Sequence, residues 1–351
     1  MVRLSICACL LLLAGEVLAL GSAATNAREA LAEGEDQTAF ETYLRLAQTG
    51  DPIAQNNVGV LYLRGRGTVQ DYGQARHWFE RAAEDGLPGA MHNLGVVYLR
   101  GHGVTPDPVT ALGWLEKAAE LGDIDAQFYS GMVYFQGDGM PQDLPKARQW
   151  FSRAADQGSA PAILNLALML LHGQGGPLDE ALALDYLGRI AADNPDAQLL
   201  VAEIHLQHAI GDPARAAQAL AGLKPLAEGG NSDAQLQLGR MLILGRGVLP
   251  DLEEGRFWLE QASRSGSAVA QAELGAIYAQ GRGVAEDEVT AHAWYSLAAA
   301  NGETTVAPEL EALEDDLSPE ELARARALAK ELRTRYPELN SPTPPTSGST
   351  P

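Results

Sequence analysis

The chain has 351 residues, 46% of them hydrophobic, so it can bury a large core and does not belong to the disordered class. Its 46 acidic residues against 25 basic ones leave a formal charge of −21. That balance excludes nucleic acid, whose binding rests on cationic neutralisation of phosphate. It disfavours anionic lipid and fits a soluble monomer.

Arg3 is followed by a mostly apolar run, Leu4 to Leu20, and then by the small-residue sites Val17-Leu18-Ala19 and Ser22-Ala23-Ala24. This is the layout of a signal peptide spanning 1–24, cleaved after Ala24, and it predicts a periplasmic or secreted protein. The run carries Glu16 and is short for a bilayer span, so no stable membrane insertion is expected after cleavage. Cys7 and Cys9, the two cysteines, leave with that segment. The mature chain then has no thiol, disulfide or Cys metal ligand.

Residues 25–53 read as an N-terminal capping segment, with a partial unit at Phe40–Gly50. Beyond it the chain repeats itself. Alanines that open an apolar helical pattern stand at Ala54, Ala90, Ala126, Ala162, Ala197, Ala234 and Ala270, with gaps of 36, 36, 36, 35, 37 and 36. Five places after most of them comes glycine (Gly59, Gly95, Gly131, Gly239, Gly275), and eight places after comes Tyr62, Tyr98, Tyr134 or Tyr278. With the apolar residues between, these form one helical stripe. A helical glycine costs about 1 kcal/mol relative to alanine, so its recurrence predicts a neighbouring helix pressed against the backbone there. The tyrosines are expected in the core.

A Gly-x-Gly turn ends the first helix in six of the units: Gly65/Gly67, Gly101/Gly103, Gly137/Gly139, Gly173/Gly175, Gly245/Gly247 and Gly281/Gly283. A phosphate-binding glycine loop would need a preceding strand, and none is predicted. Asp71, Asp107, Asp143, Asp251 and Asp287 read as N-caps of the second helices, so their carboxylates are structural. The second helix pairs large residues with small: Trp78-Phe79 before Ala82-Ala83, Trp114-Leu115 before Ala118-Ala119, Trp150-Phe151 before Ala154-Ala155, Trp294-Tyr295 before Ala298-Ala299. One such helix pair cannot bury its own apolar face, so the units must stack. The pattern predicts an all-α fold, a right-handed α/α solenoid of about seven two-helix repeats over 54–302. Terminal capping helices would flank it, the C-terminal ones within 303–339. Ser318-Pro319-Glu320-Glu321 reads as a strong helix start running to about Arg335, and 340–351 as a disordered tail.

These residues resemble the Sel-one-like repeat, a relative of the tetratricopeptide repeat. The signature is Ala-Gln near the repeat start (Ala54-Gln55, Ala126-Gln127, Ala234-Gln235, Ala270-Gln271), the Gly-x-Gly turn, and the Trp/Ala-Ala/Gly ending; it covers roughly Ala39 to Gly302. The resemblance implies an adaptor that binds protein. Some cysteine-rich members have been associated with β-lactam hydrolysis, and a hydrolase acting on cell wall or β-lactams is the alternative. Their disulfide-stapled repeats are absent here. Two units depart from the pattern: repeat four has Tyr186 for Trp, and repeat five, Ala197 to Asp233, loses both the glycine turn and the aromatic pair.

Motifs of catalysis are missing: there is no Ser-x-x-Lys, Gly-x-Ser-x-Gly, His-Glu-x-x-His or phosphate-loop lysine. His205 and His208 are three apart on a predicted helix but lack a third ligand, so neither a metal nor a cofactor is expected and the chain is read as non-catalytic. What remains is a surface. Stacked repeats line their concave side with the first helices. Three places after the anchors stand Asn57, Asn93, Tyr129 and Asn165; two turns further up that face come Arg64, Arg100, Gln136 and His172. Asparagine offers a donor and an acceptor to a peptide backbone, and arginine can take a carboxylate bidentately. Val60, Val96, Met132 and Leu168 form an apolar ridge beside them. This face is the expected partner-binding site for a protein or peptide.

Overall fold

A computed structural model describes residues 23–336. Residues 1–22 of the expected leader 1–24, and the expected tail 340–351, therefore lie outside the described residues. Among those described there are helices and turns and no strand. The N-terminal pair is α1 (residues 23–33) and α2 (Asp36–Gln48). Seven pairs follow: α3 (Pro52–Arg64) with α4 (Tyr72–Glu84), α5 (Pro88–Arg100) with α6 (Pro108–Glu120), α7 (Ile124–Gln136) with α8 (Leu144–Asp156), and α9 (Ala160–Leu171) with α10 (Glu180–Gly188). Next come α11 (Pro195–Gln207) with α12 (Pro213–Glu228), α13 (Ser232–Leu244) with α14 (Leu252–Arg264), and α15 (Ala268–Gln280) with α16 (Glu288–Ala300). A 3-10 turn, α17 (Ala307–Asp316) and α18 (Pro319–Arg335) close the chain.

The described helices sort into two compact units that divide after Tyr186, inside α10. Within each unit every helix packs chiefly on its sequence neighbours, the arrangement of an α-solenoid.

Local chemistry sets the boundaries. Asp71, Asp107, Asp143, Asp251 and Asp287 each accept a hydrogen bond from the first turn of the following helix, as their spacing predicts. The first helices α3, α5, α7, α13 and α15 end on a left-handed glycine such as Gly65, at φ 65°, whereas α9 and α11 end on His172 and His208. Ser318 and Glu321 form a full capping box at the start of α18.

Packing explains the rest of the signature. A Cβ placed on Gly131 would lie 2.7 Å from the ring of Phe151, so glycine there is the imprint of the aromatic residue on the second helix. Phe79, Leu115, Phe151 and Leu259 are fully buried at the same register. The Ala-Gln pair is a staple between repeats. Gln127 reaches back to the Ala119 carbonyl (3.1 Å), Gln235 to Ala227 (3.0 Å) and Gln271 to Ser263 (3.2 Å), each closing the last turn of the preceding helix. Of the four stripe tyrosines only Tyr134 is buried; the others are half-buried, because a phenol keeps its hydroxyl at the edge of the core.

Repeat five keeps the architecture with altered contents. Ala202 occupies the place of the first-helix glycine and Gly222 that of its aromatic partner, so small meets small at the α11–α12 crossing. At the N-terminus, Ala27 of α1 joins Phe40 and Tyr43 in the core, and Tyr62 packs edge-on to Phe40 at 5.1 Å. Arg66 ties the first glycine turn to this cap by holding the Asp36 carboxylate through Nε (3.1 Å) and Nη2 (2.5 Å). The hydrogen bond from Arg66 first, with a lesser contribution from its charge, holds the Asp36 carboxyl below its ordinary value and outweighs the opposing effect of burial.

Candidate functional site

The residues expected to bind a partner lie on the first helices of the first unit. Asn57 on α3, Asn93 on α5, Tyr129 on α7 and Asn165 on α9 are half-buried; Arg64, Arg100, Gln136 and His172, at the C-terminal ends of the same four helices, are exposed. Val60, Val96, Met132 and Leu168 are half-buried beside them. Amides, a phenol, two guanidinium groups and an imidazole on an apolar ridge can hold a chain by hydrogen bonds and charge.

Which of them meet one another differs from the sequence reading. Asn93 Nδ2 donates to Oδ1 of Asn56, not Asn57, at 2.8 Å across α5 and α3. Asn165 donates to the Pro161 carbonyl one turn back in its own helix (2.8 Å), and the His172 Nδ1–H to the Leu168 carbonyl (2.8 Å). Each of these asparagine bonds uses one of the two N–H donors of an amide. Tyr129 receives the ring of His92 edge-on, centroids 5.4 Å apart.

Asn56, His92 and Asp123 are thus part of this face, though periodicity within one helix did not select them. His92 Nδ1 lies 3.2 Å from Oδ1 of Asp123, which also accepts the Ala126 N–H (2.7 Å) as the cap of α7. Burial alone would raise the Asp123 carboxyl. The bond to His92, the Ala126 N–H and the His92 charge outweigh it and hold the group below the ordinary range. The signal for Asn56 and His92 is their shared place, two after the anchor alanine, which faces the third place of the next repeat.

In the second unit the third place meets the sixth place of the preceding or following repeat instead, and these contacts carry charge. Gln237 Nε2 donates to Glu203 at 3.3 Å, and Arg240 Nε donates to Glu273. His205 and His208 both sit at the end of α11. Among the described residues, no three His, Cys, Asp or Glu side chains are grouped to hold a metal.

A family model, Sel1 repeat, matches residues 52–87, 88–123, 124–159, 160–194, 232–267 and 268–303, which is more than half of the chain. The chain belongs to the Sel1 repeat family. The stretch between the fourth and fifth matches is the altered repeat that contains Ala202 and Gly222. A solved Sel1 repeat protein from Oxalobacter formigenes is similar at 32% identity, over 84% of this chain and 87% of that one, with a TM-score of 0.61. A protective antigen present in uropathogenic Escherichia coli strains, displaying an SLR fold, is 26% identical over 87% of this chain and 81% of its own, with a TM-score of 0.46. No curated protein matches. The Sel1 repeats and the helical-repeat fold make the chain a scaffold of the protein–protein interaction class.

Proposed function

We propose that the protein is an exported, monomeric, non-catalytic adaptor of the periplasm or secreted space, and that it holds an extended peptide or protein segment along the first-helix face of its first unit. The observation that carries this reading is the row Arg64, Arg100, Gln136 and His172. These four polar side chains stay exposed at one register of successive repeats, above half-buried Asn57, Tyr129 and Asn165 and an apolar ridge. A regular ladder of donors, acceptors and apolar steps suits an extended chain, whose own backbone groups need partners. Export rests on the leader, with Arg3, the apolar run and the Ser22-Ala23-Ala24 site.

Photocrosslinking in the native host tests the face. A photoreactive residue at Arg100 or Gln136 is expected to capture a defined partner, one at exposed Glu84 on the end of α4 is not, and Arg64→Ala with Tyr129→Ala should abolish capture. Equal labelling from both faces, or capture indifferent to the double variant, refutes the reading. N-terminal sequencing of the mature protein should begin at Thr25.

A further inference from the structure

The second unit carries a cleft that the first-unit face does not account for. It lies between α13 and α15, has a volume of about 240 Å³, and is lined by Arg240, Ile243, Leu244, Leu259, Glu273, Ala276, Ile277 and Arg282. Its existence traces to concerted changes of residue type at repeat positions. Six places after the anchor, where the first four repeats have Val60, Val96, Met132 and Leu168, repeats six and seven have Arg240 and Ala276. Ten places after, where the first unit has Arg64 and Arg100, repeat six has Leu244, which is 49% exposed. The small Ala276 opens the hollow. Leu259 and Ile277, both buried, floor it, and Leu244 forms an apolar rim.

Charge at the cleft runs against that of the whole chain. Glu273 is neutralised by Arg240, which leaves Arg282 as the excess cation. Arg282 is exposed, and among the described residues its side chain makes no ion pair. Its counterpart in the first repeat, Arg66, holds Asp36 at the start of the preceding second helix. In repeat seven that place is taken by Leu252, the first residue of α14, against which Gly283 packs as Gly67 packs against Asp36. The turn arginine therefore has no internal carboxylate to hold and lines the cleft instead.

We propose that this cleft is an anchor pocket for one apolar side chain of a partner peptide, with an adjacent carboxylate taken by Arg282. The volume is below the roughly 300–1,000 Å³ of pockets that enclose a whole small-molecule ligand, whereas it admits a single leucine-sized side chain. An apolar anchor in a pocket with a guanidinium at its rim is the composition of an interaction hot spot. The carboxylate can be a chain terminus or an internal Asp or Glu.

Methyl NMR on the full mature chain tests it with three acetylated pentapeptides: Gly-Ser-Gly-Ser-Leu with a free terminus, its amide, and Gly-Ser-Leu-Glu-Gly as an amide. Titration with a carboxylate-bearing peptide should shift the methyls of Ile243, Leu244 and Ala276, and the two carboxylate arms identify the source. Ala276→Met fills the hollow and should abolish the shifts. Arg282→Gln, on the surface and without a fold to disturb, should weaken binding about tenfold. Arg100→Ala in the first unit should leave these shifts unchanged, so failure here is distinct from failure of the first-unit reading. No shift with either carboxylate peptide, equal shifts with the fully amidated leucine peptide, or binding retained in Ala276→Met overturns the proposal.

Discussion

Asn93 on α5 donates its amide hydrogen to the side-chain oxygen of Asn56 on α3, 2.8 Å away, and so one of the asparagines on the proposed binding face also joins two repeats. Asn57, its counterpart in the repeat, is not that partner. Asn93→Ala should therefore cost about 1 kcal/mol of stability, the usual net worth of a part-buried hydrogen bond, while Asn57→Ala should cost little. A double-mutant cycle of Asn56→Ala and Asn93→Ala, followed by chemical denaturation, reads the coupling directly. Zero coupling would mean that the amide pair contributes nothing to the stack.

Two helical glycines of similar appearance should respond oppositely to alanine. Gly131→Ala drives a methyl group into Phe151, and overpacking of this kind costs about 1–3 kcal/mol. Gly113 on α6 is exposed and an added Cβ meets nothing within 4 Å, so Gly113→Ala should stabilise by up to about 1 kcal/mol. Thermal melts of the two variants decide this, and the same sign for both would contradict the packing described.

The inter-repeat staple is incomplete at two stations, Gln55 and Gln235, whose Oε1 atoms are buried without a partner. Gln127 and Gln271 each receive a further N–H, from Gln157 (2.8 Å) and Asn301 (3.0 Å). For Gln55, the residue at the place of Gln157 is Asp85, which cannot donate. Asp85→Asn is expected to raise stability by about 1 kcal/mol over Asp85→Ala. Alanine removes the same helix-end charge without supplying a donor, so equal melting temperatures for the two would show that no bond forms.

Glu203 gives stability a pH dependence of known sign. Burial first, and the charge of Asp233 second, push its carboxyl above the ordinary value, and the bond from Gln237 opposes them only partly. The folded state thus holds a proton that the unfolded chain has released, from about pH 4.3 upward. Its stabilising effect is present below that pH and is lost as pH rises through the raised folded value. Glu203→Gln keeps an acceptor for Gln237 and should melt higher than the parent at neutral pH, with the gap closing near pH 4. A gap that persists unchanged across this range would place the effect elsewhere.

Much of the architecture was legible because it is local. The anchor alanines, the five aspartate caps, the glycine turns and the Ser318–Glu321 box each follow from the conformational preferences of a few neighbouring residues, and the structure places them as read. The face was legible in part. Periodicity within one helix put Asn57, Tyr129 and Arg100 on one side, but the contacts of Asn56 and His92 depend on how each repeat is offset from the next.

The amino-acid sequence by itself determined that this chain is a stack of two-helix repeats, since caps, glycine turns and a 36-residue apolar period act within a single unit. Only the tertiary structure decided that Asn93 is spoken for by Asn56, that Gly222 and Ala202 exchange a large-to-small contact for a small one, and that Arg282 faces a cleft opened by Ala276. Those outcomes depend on distances between residues some 20 to 40 positions apart, which helix packing sets and which no pattern along one helix can encode.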